Sequence, residues 1–153
     1  MTRHTLRSLR RAWSGLRPLA PEEVLATSVG DLRASFVAPL GRVAPRGLAL
    51  VGLRDWHGKR FRADDRGSVT GVNLVRRGGA LEETMPMVVT LGVSLVDDLP
   101  ALLVTYPPST RKPWPWVRDE LRGLPDGTVV GMTVVDLPGL RAAGGMPFLL
   151  TPG

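Results

Sequence analysis

The stretch RDWHGKRF, residues 54–61, gathers a Trp, a His, a Lys and two Arg in a chain otherwise rich in Val and Leu. Such a cluster suits either contact with the polar group of a ligand or a polar strand end pinned to the core by Trp56. His57 and His4 are the only histidines and Cys is absent, so a zinc site with three N or S ligands cannot be assembled. Haem needs one axial His, which His57 beside Trp56 could supply, but a lone His is far more often an ordinary hydrogen-bonded residue. No metal or cofactor is therefore expected. The chain has no G-x-S-x-G elbow, and its nearest Ser, in GVSLV at 92–96, continues a smooth strand pattern. Walker spacing is missing as well, which argues against nucleotide-driven chemistry.

Carboxylates are the class left for acid/base work. In WVRDEL, residues 116–121, alternation puts Val117, Asp119 and Leu121 on one face and Arg118, Glu120 and Arg122 on the other. If the apolar face is interior, Asp119 must be paired or hydrogen-bonded to stay charged. Two roles follow: an internal ion pair with an Arg such as Arg60 or Arg76, or a polar anchor for an enclosed ligand. Tyr106, Trp114 and Trp116 look like aromatics that rim or cap a barrel end. Met85, Met87, Met132 and Met146 fall in strand-like segments, where soft side chains fill either a cavity or a core. Within residues 54–61, strict alternation separates Trp56, Gly58 and Arg60 from His57, Lys59 and Phe61, so only half of the cluster shares an interior.

The elements that must position these residues are short. Leu6, Leu9, Trp13 and Leu16 recur at helical spacing in TLRSLRRAWSGL, residues 5–16, which predicts a basic amphipathic helix, and the two prolines of LRPLAPEE end it. Past residue 30 the period becomes alternating. DLRASF, the apolar run GLALVGL at 47–53, SVTGVNLVRR, a long stretch from 84 to 95, ALLVTY, WVRDEL, TVVGMTVV and MPFLL read as strands separated by Gly, Pro and Asp turns. No helical stretch is long enough for βαβ crossovers. The reading is all-β, an antiparallel up-and-down barrel of about eight strands with a short N-terminal helix, and a β-sandwich as the fallback. Residues 1–19 form the helical arm and residues 20–153 the single barrel domain.

Composition supports one globular domain: 153 residues, 43% hydrophobic and 22% charged, with 18 Gly and 14 Pro for the many turns. A chain of this size buries roughly 68–70% of its unfolded surface. The net charge of +6 is not spread evenly, because Arg3, Arg7, Arg10, Arg11 and Arg17 have no acid among the first 20 residues, and the other 15 bases face 14 acids. The body is nearly neutral and carries no aromatic-plus-basic strand motif, so nucleic acid is not an expected partner. The Arg-rich helix allows at most a weak contact with a membrane surface. With no Cys, no apolar run near the ~18 residues of a membrane span and no secretory h-region, the expected location is cytoplasmic.

The fragments WHGKRF (56–61), GVNLVRR (71–77), DLPALLVTYP (98–107), VRDELR (117–122), TVVGMT (128–133) and PFLL (147–150) resemble the bacterial family of GXWXG proteins with its adjoining domain of unknown function, over roughly residues 20–150. The signature itself would fall after PEEVL, where this chain reads Ala26-Thr27-Ser28-Val29-Gly30 and keeps only the last glycine. Lipocalin-like barrels also carry a Gly-x-Trp pair near the first strand, and by that analogy the resemblance implies a calycin-like barrel.

The sequence thus points to a non-catalytic module that binds a small, mainly apolar ligand inside a barrel. Trp56, His57, Arg60, Tyr106 and Asp119 are its expected polar contacts. One alternative is a weak acid/base enzyme in the same cavity, with Asp119 or Glu120 carrying the proton and His57 or Arg60 orienting the substrate. Another is a protein-interaction domain tethered by the basic helix, in which deleting residues 1–18 leaves the body folded.

Overall fold

A computed structural model describes residues 3–27, 31–38, 40–141 and 145–152. Helix α1 (Leu6–Ala12) is followed by the two-residue strand β1 (Arg17–Pro18) and helix α2 (Pro21–Thr27). Strand β2 (Leu32–Phe36) precedes helix α3 (Ala44–Leu50), and seven strands complete the chain: β3 (Trp56–Ala63), β4 (Val69–Arg77), β5 (Ala80–Val93), β6 (Pro100–Thr105), β7 (Val117–Gly123), β8 (Val129–Val135) and β9 (Met146–Pro152).

Each strand from β2 to β8 pairs antiparallel with the next, the chain running through α3 between β2 and β3, and β9 bonds both β8 and β2. Phe148 sits opposite Gly131 on one side and Phe36 on the other. The result is a closed eight-stranded up-and-down barrel, as the alternation predicted, and closure removes the edges on which other chains could pair. β1 adds a short flap beside the end of β7, where Arg17 faces Gly123.

Turn chemistry sets the hairpins. Asp64 Oδ1 accepts from the amides of Arg66 and Ser68, both at 2.9 Å, and Gly67 adopts φ +80°. Gly78 and Gly79 together supply the two positive φ values that a tight β4–β5 turn demands. Asp126 repeats the Asp64 device before Gly127.

The interior is lined by alternate residues of these strands, among them Phe61, Val75, Met87, Val104, Leu121 and Phe148. A second apolar cluster lies outside the barrel wall, where Leu9 and Trp13 of the N-terminal segment cover Val37, Val130 and Met132. The predicted Leu/Trp stripe is therefore a packed face, and α1 is capped by reciprocal bonds between Thr5 and Ser8. Trp13 is 1% exposed. Arg122, itself buried, stacks over its ring at 4.3 Å and donates to the Trp13 carbonyl and to both Asp97 oxygens. Thus the first nineteen residues include part of the packed structure.

Two expectations are corrected. Residues 47–53 form no strand: Ala44–Leu50 is helix α3, and Gly52, with φ +97°, turns the chain back toward the barrel. A short apolar run cannot be assigned by periodicity alone, and Pro45 at the first turn favours the helical start. In β5 the alternation breaks at Met85, which has φ +47° where the register against β4 shifts between Val72 and Asn73. Met87 and Val89 keep the interior face, and Leu91 and Val93 beyond them are exposed. Among the described residues no helix is long and apolar enough to cross a membrane.

Candidate functional site

The site begins with an irregularity in β3. Trp56 pairs with Val75 and Gly58 with Leu74, so His57 is the extra residue of a β-bulge. Strict alternation would place Trp56 and Lys59 on opposite faces; the bulge puts both inside. Gly58 is required at this point, because a Cβ there would overlap the Leu32 carbonyl oxygen of β2.

Lys59 is 1% exposed and Asp119 3% exposed, and they meet at 2.8 Å inside the barrel. The predicted internal ion pair of Asp119 therefore exists, but its partner is Lys59 rather than Arg60 or Arg76. Four further polar side chains complete the cluster. Lys59 Nζ donates to Asn73 Oδ1 at 3.2 Å and to the Tyr106 hydroxyl at 3.3 Å. Asn73 Nδ2 donates to the same hydroxyl at 3.3 Å, Trp56 Nε1 donates to Asn73 Oδ1 at 3.1 Å, and Thr133 Oγ1 donates to Asp119 Oδ1 at 2.8 Å. Burial pulls the Lys59 ammonium toward neutrality, but the Asp119 carboxylate and Tyr106 outweigh it, and the pKa lies above the ordinary lysine value. Burial pushes the Tyr106 phenol up, against the opposing pull of Lys59. Near neutral pH, Lys59 is a cation and Tyr106 a protonated phenol; the amine is no nucleophile in this state.

Above the cluster is a cavity of about 360 Å³. Trp56, Lys59, Asn73, Tyr106, Asp119 and Thr133 form its polar floor. Its walls are apolar: Phe36, Trp114, Val117 and Val135 come from the barrel end, and Leu48 and Val51 from α3 and its C-cap. Trp56 packs between Phe36 and Phe148 at centroid distances of 5.7 and 5.6 Å, and Tyr106 packs on Trp114 at 5.1 Å. Trp114 Nε1 donates to the Val51 carbonyl at 2.7 Å, which ties the β6–β7 connection to the end of α3. α3 thus lies across the barrel mouth as a cover with no buried residue of its own.

The remaining expected contacts lie elsewhere. Arg60 is on the outer face, bound to Asp31 at 2.6 and 3.0 Å and to Glu83 at 2.8 Å, and its guanidinium holds the Asp31 carboxyl below the usual range. His57 is outside too, with Nδ1 3.5 Å from Arg76, and partial burial together with that cation lowers its pKa. Glu120 points away from the cavity, fully buried against Arg118, the Leu95 amide and Ser94. His57, Arg60 and Glu120 therefore do not assemble with Asp119, which leaves the acid/base alternative with Asp119 alone and without its orienting partners. Trp116 is partly exposed beside Lys112.

Lys59, Asn73 and Thr133 were missing from the sequence-derived site. One signal was legible: only two of the 20 bases are Lys, and a chain that otherwise uses Arg throughout places one of them in a strand. Asn73 also interrupts an apolar run, GVNLV, where a polar residue needs a partner.

Fold and site together define a closed up-and-down β-barrel with a buried lysine–aspartate cluster beneath a covered apolar cavity. The crystal structure of a protein from Thermomonospora curvata is similar, with a TM-score of 0.63 and 19% sequence identity over 96% of this chain and 86% of that one. At that identity the likeness extends to the fold alone. No family model and no curated protein matches the chain. The segment where the GXWXG signature would fall reaches past α2, and Ser28, Val29 and Gly30 lie outside the described residues.

Proposed function

We propose that this protein binds a small, mainly apolar molecule in the barrel interior and does no chemistry on it. The observation that carries this reading is the cavity: about 360 Å³ of space with apolar walls and one polar cluster at its floor, within the ~300–1,000 Å³ range of small-molecule sites. A folded core normally closes such space, because lost packing contacts cost stability. The groups that could move protons are also committed: Asp119 to Lys59 and Thr133, Glu120 to the outer wall, and His57 to the outer surface. A GXWXG-type bacterial origin and a cytoplasmic site of action belong to this proposal and rest on the sequence fragments and composition.

Native mass spectrometry of freshly purified protein tests it. The expected result is an adduct of small mass that gentle activation removes. A bare chain that also fails to take up any apolar compound offered to it overturns the reading.

A further inference from the structure

The polar floor of the cavity has a definite donor and acceptor balance. Lys59 Nζ has three N–H groups, and Asp119, Asn73 and Tyr106 all lie within hydrogen-bond distance of it, with the Met87 sulfur at 3.4 Å as well. No N–H of Lys59 is left for a ligand. Trp56 Nε1 is spent on Asn73, and the Asn73 amide donates to Tyr106 and to the Met85 carbonyl.

The Tyr106 hydroxyl differs: it accepts from Lys59 and from Asn73, and it donates to no partner among the described residues. As a phenol kept protonated by burial, it retains one O–H donor. The Asp119 carboxylate accepts one bond on each oxygen, from Thr133 and from Lys59, and each oxygen keeps a further acceptor site. Tyr106 and Asp119 bind the same Lys59 Nζ, so they stand close enough for one small group to touch both.

From this arrangement we infer that the ligand is a neutral apolar molecule bearing a hydroxyl group, which accepts from Tyr106 and donates to Asp119. The inference rests on the binding reading above and deepens it to a ligand class. A carboxylate or phosphate head would find no free cationic donor and would face the Asp119 carboxylate at close range. An ammonium head would compete with Lys59 for Asp119. A hydroxyl satisfies the open donor and the open acceptor without changing any charge.

Octanol, octyl methyl ether and octanoate share one chain and differ in the head group, so titration of the whole protein with each tests the inference. Quenching or enhancement of Trp56 and Trp114 emission reports binding, since both line the cavity. At about pH 8 octanoate is fully ionised. The expected order is octanol tightest, the ether about fivefold weaker for loss of one donated bond, and octanoate at least tenfold weaker than octanol. Tyr106→Phe should lose most of the discrimination between octanol and a chain with no polar head. Octanoate binding as tightly as octanol would overturn the ligand class and leave the apolar-ligand reading standing. Equal binding of all three has the same consequence. If none of the three binds and no other apolar compound does, the binding reading itself falls.

Discussion

Trp56 and Lys59, three positions apart on one strand, enter the same cavity because His57 bulges out of the ladder between them. The bulge is kept by Gly58, where an added Cβ would overlap the Leu32 carbonyl oxygen of the neighbouring strand β2. Gly58→Ala has to separate the two strands or remove the bulge, and either change turns Lys59 away from Asp119. The expected loss is at least about 3 kcal/mol in urea denaturation, near the upper end for single substitutions. Gly15→Ala, where nothing lies within 4 Å of the added carbon, is the control and should change little.

The Lys59–Asp119 pair is buried, so removing one partner is worse than removing both. Lys59→Met strands a carboxylate in the barrel and should cost about 3–5 kcal/mol. Asp119→Leu in the same chain should restore a large part of that loss, short of all of it because Asn73, Tyr106 and Thr133 also lose partners. A double-mutant cycle by chemical denaturation reads both numbers. Additive losses would show that the pair is not a unit.

Acid should attack the outer wall at a defined place. Two hydrogen bonds from Arg122 hold the Asp97 carboxyl down, from 3.8 to about 2. A folded-state pKa below the unfolded value adds stability that is present above pH ~4 and is lost as pH falls toward 2. The contribution is about 2 kcal/mol at neutral pH. Asp97→Asn should lower neutral stability by a similar amount, and its stability should fall less steeply than that of the parent between pH ~4 and ~2. Parallel curves for the two proteins would place the acid sensitivity in other carboxylates.

Trp13 links the N-terminal segment to the barrel through its ring, its carbonyl and Arg122. Trp13→Ala should cost about 3–5 kcal/mol, as for other large side chains removed from a packed site. Deletion of residues 1–18 should lower the thermal midpoint sharply, since it also uncovers Val130 and Met132. An unchanged midpoint would return the segment to the status of an arm. The exposed Arg3, Arg7 and Arg11 can each be changed to Gln with little effect on stability.

Much of the barrel was legible because alternation and turn residues act locally: Val117, Asp119 and Leu121 on one face of β7 predicted an interior carboxylate, and the interior holds one. Trp56, Tyr106 and Asp119 reach the cavity for the same reason. The partner of Asp119 was hidden by one backbone event. A bulge shifts the side-chain phase by one residue, and a Gly whose neighbour lies on another strand carries no local mark of it. Arg60 was misplaced by the same phase error; it looked interior with Trp56 and instead spans Asp31 and Glu83 outside. Helix α3 was misread because seven apolar and small residues fit a strand as well as a helix, and its place over the barrel mouth depends on Trp114 and Arg111 more than sixty residues away.

The central claim is that the interior is a ligand site, and the most direct measurement is saturable uptake of an uncharged apolar fluorophore, N-phenyl-1-naphthylamine, with and without a side chain that fills the space. Val135 is half-buried on the cavity wall, and Val135→Trp occupies the volume without touching Lys59 or Asp119 in sequence. The account predicts one saturable site per chain in the parent protein and its loss in Val135→Trp, with both proteins folded by circular dichroism. No saturable uptake by the parent, or equal uptake by the filled variant, would contradict it.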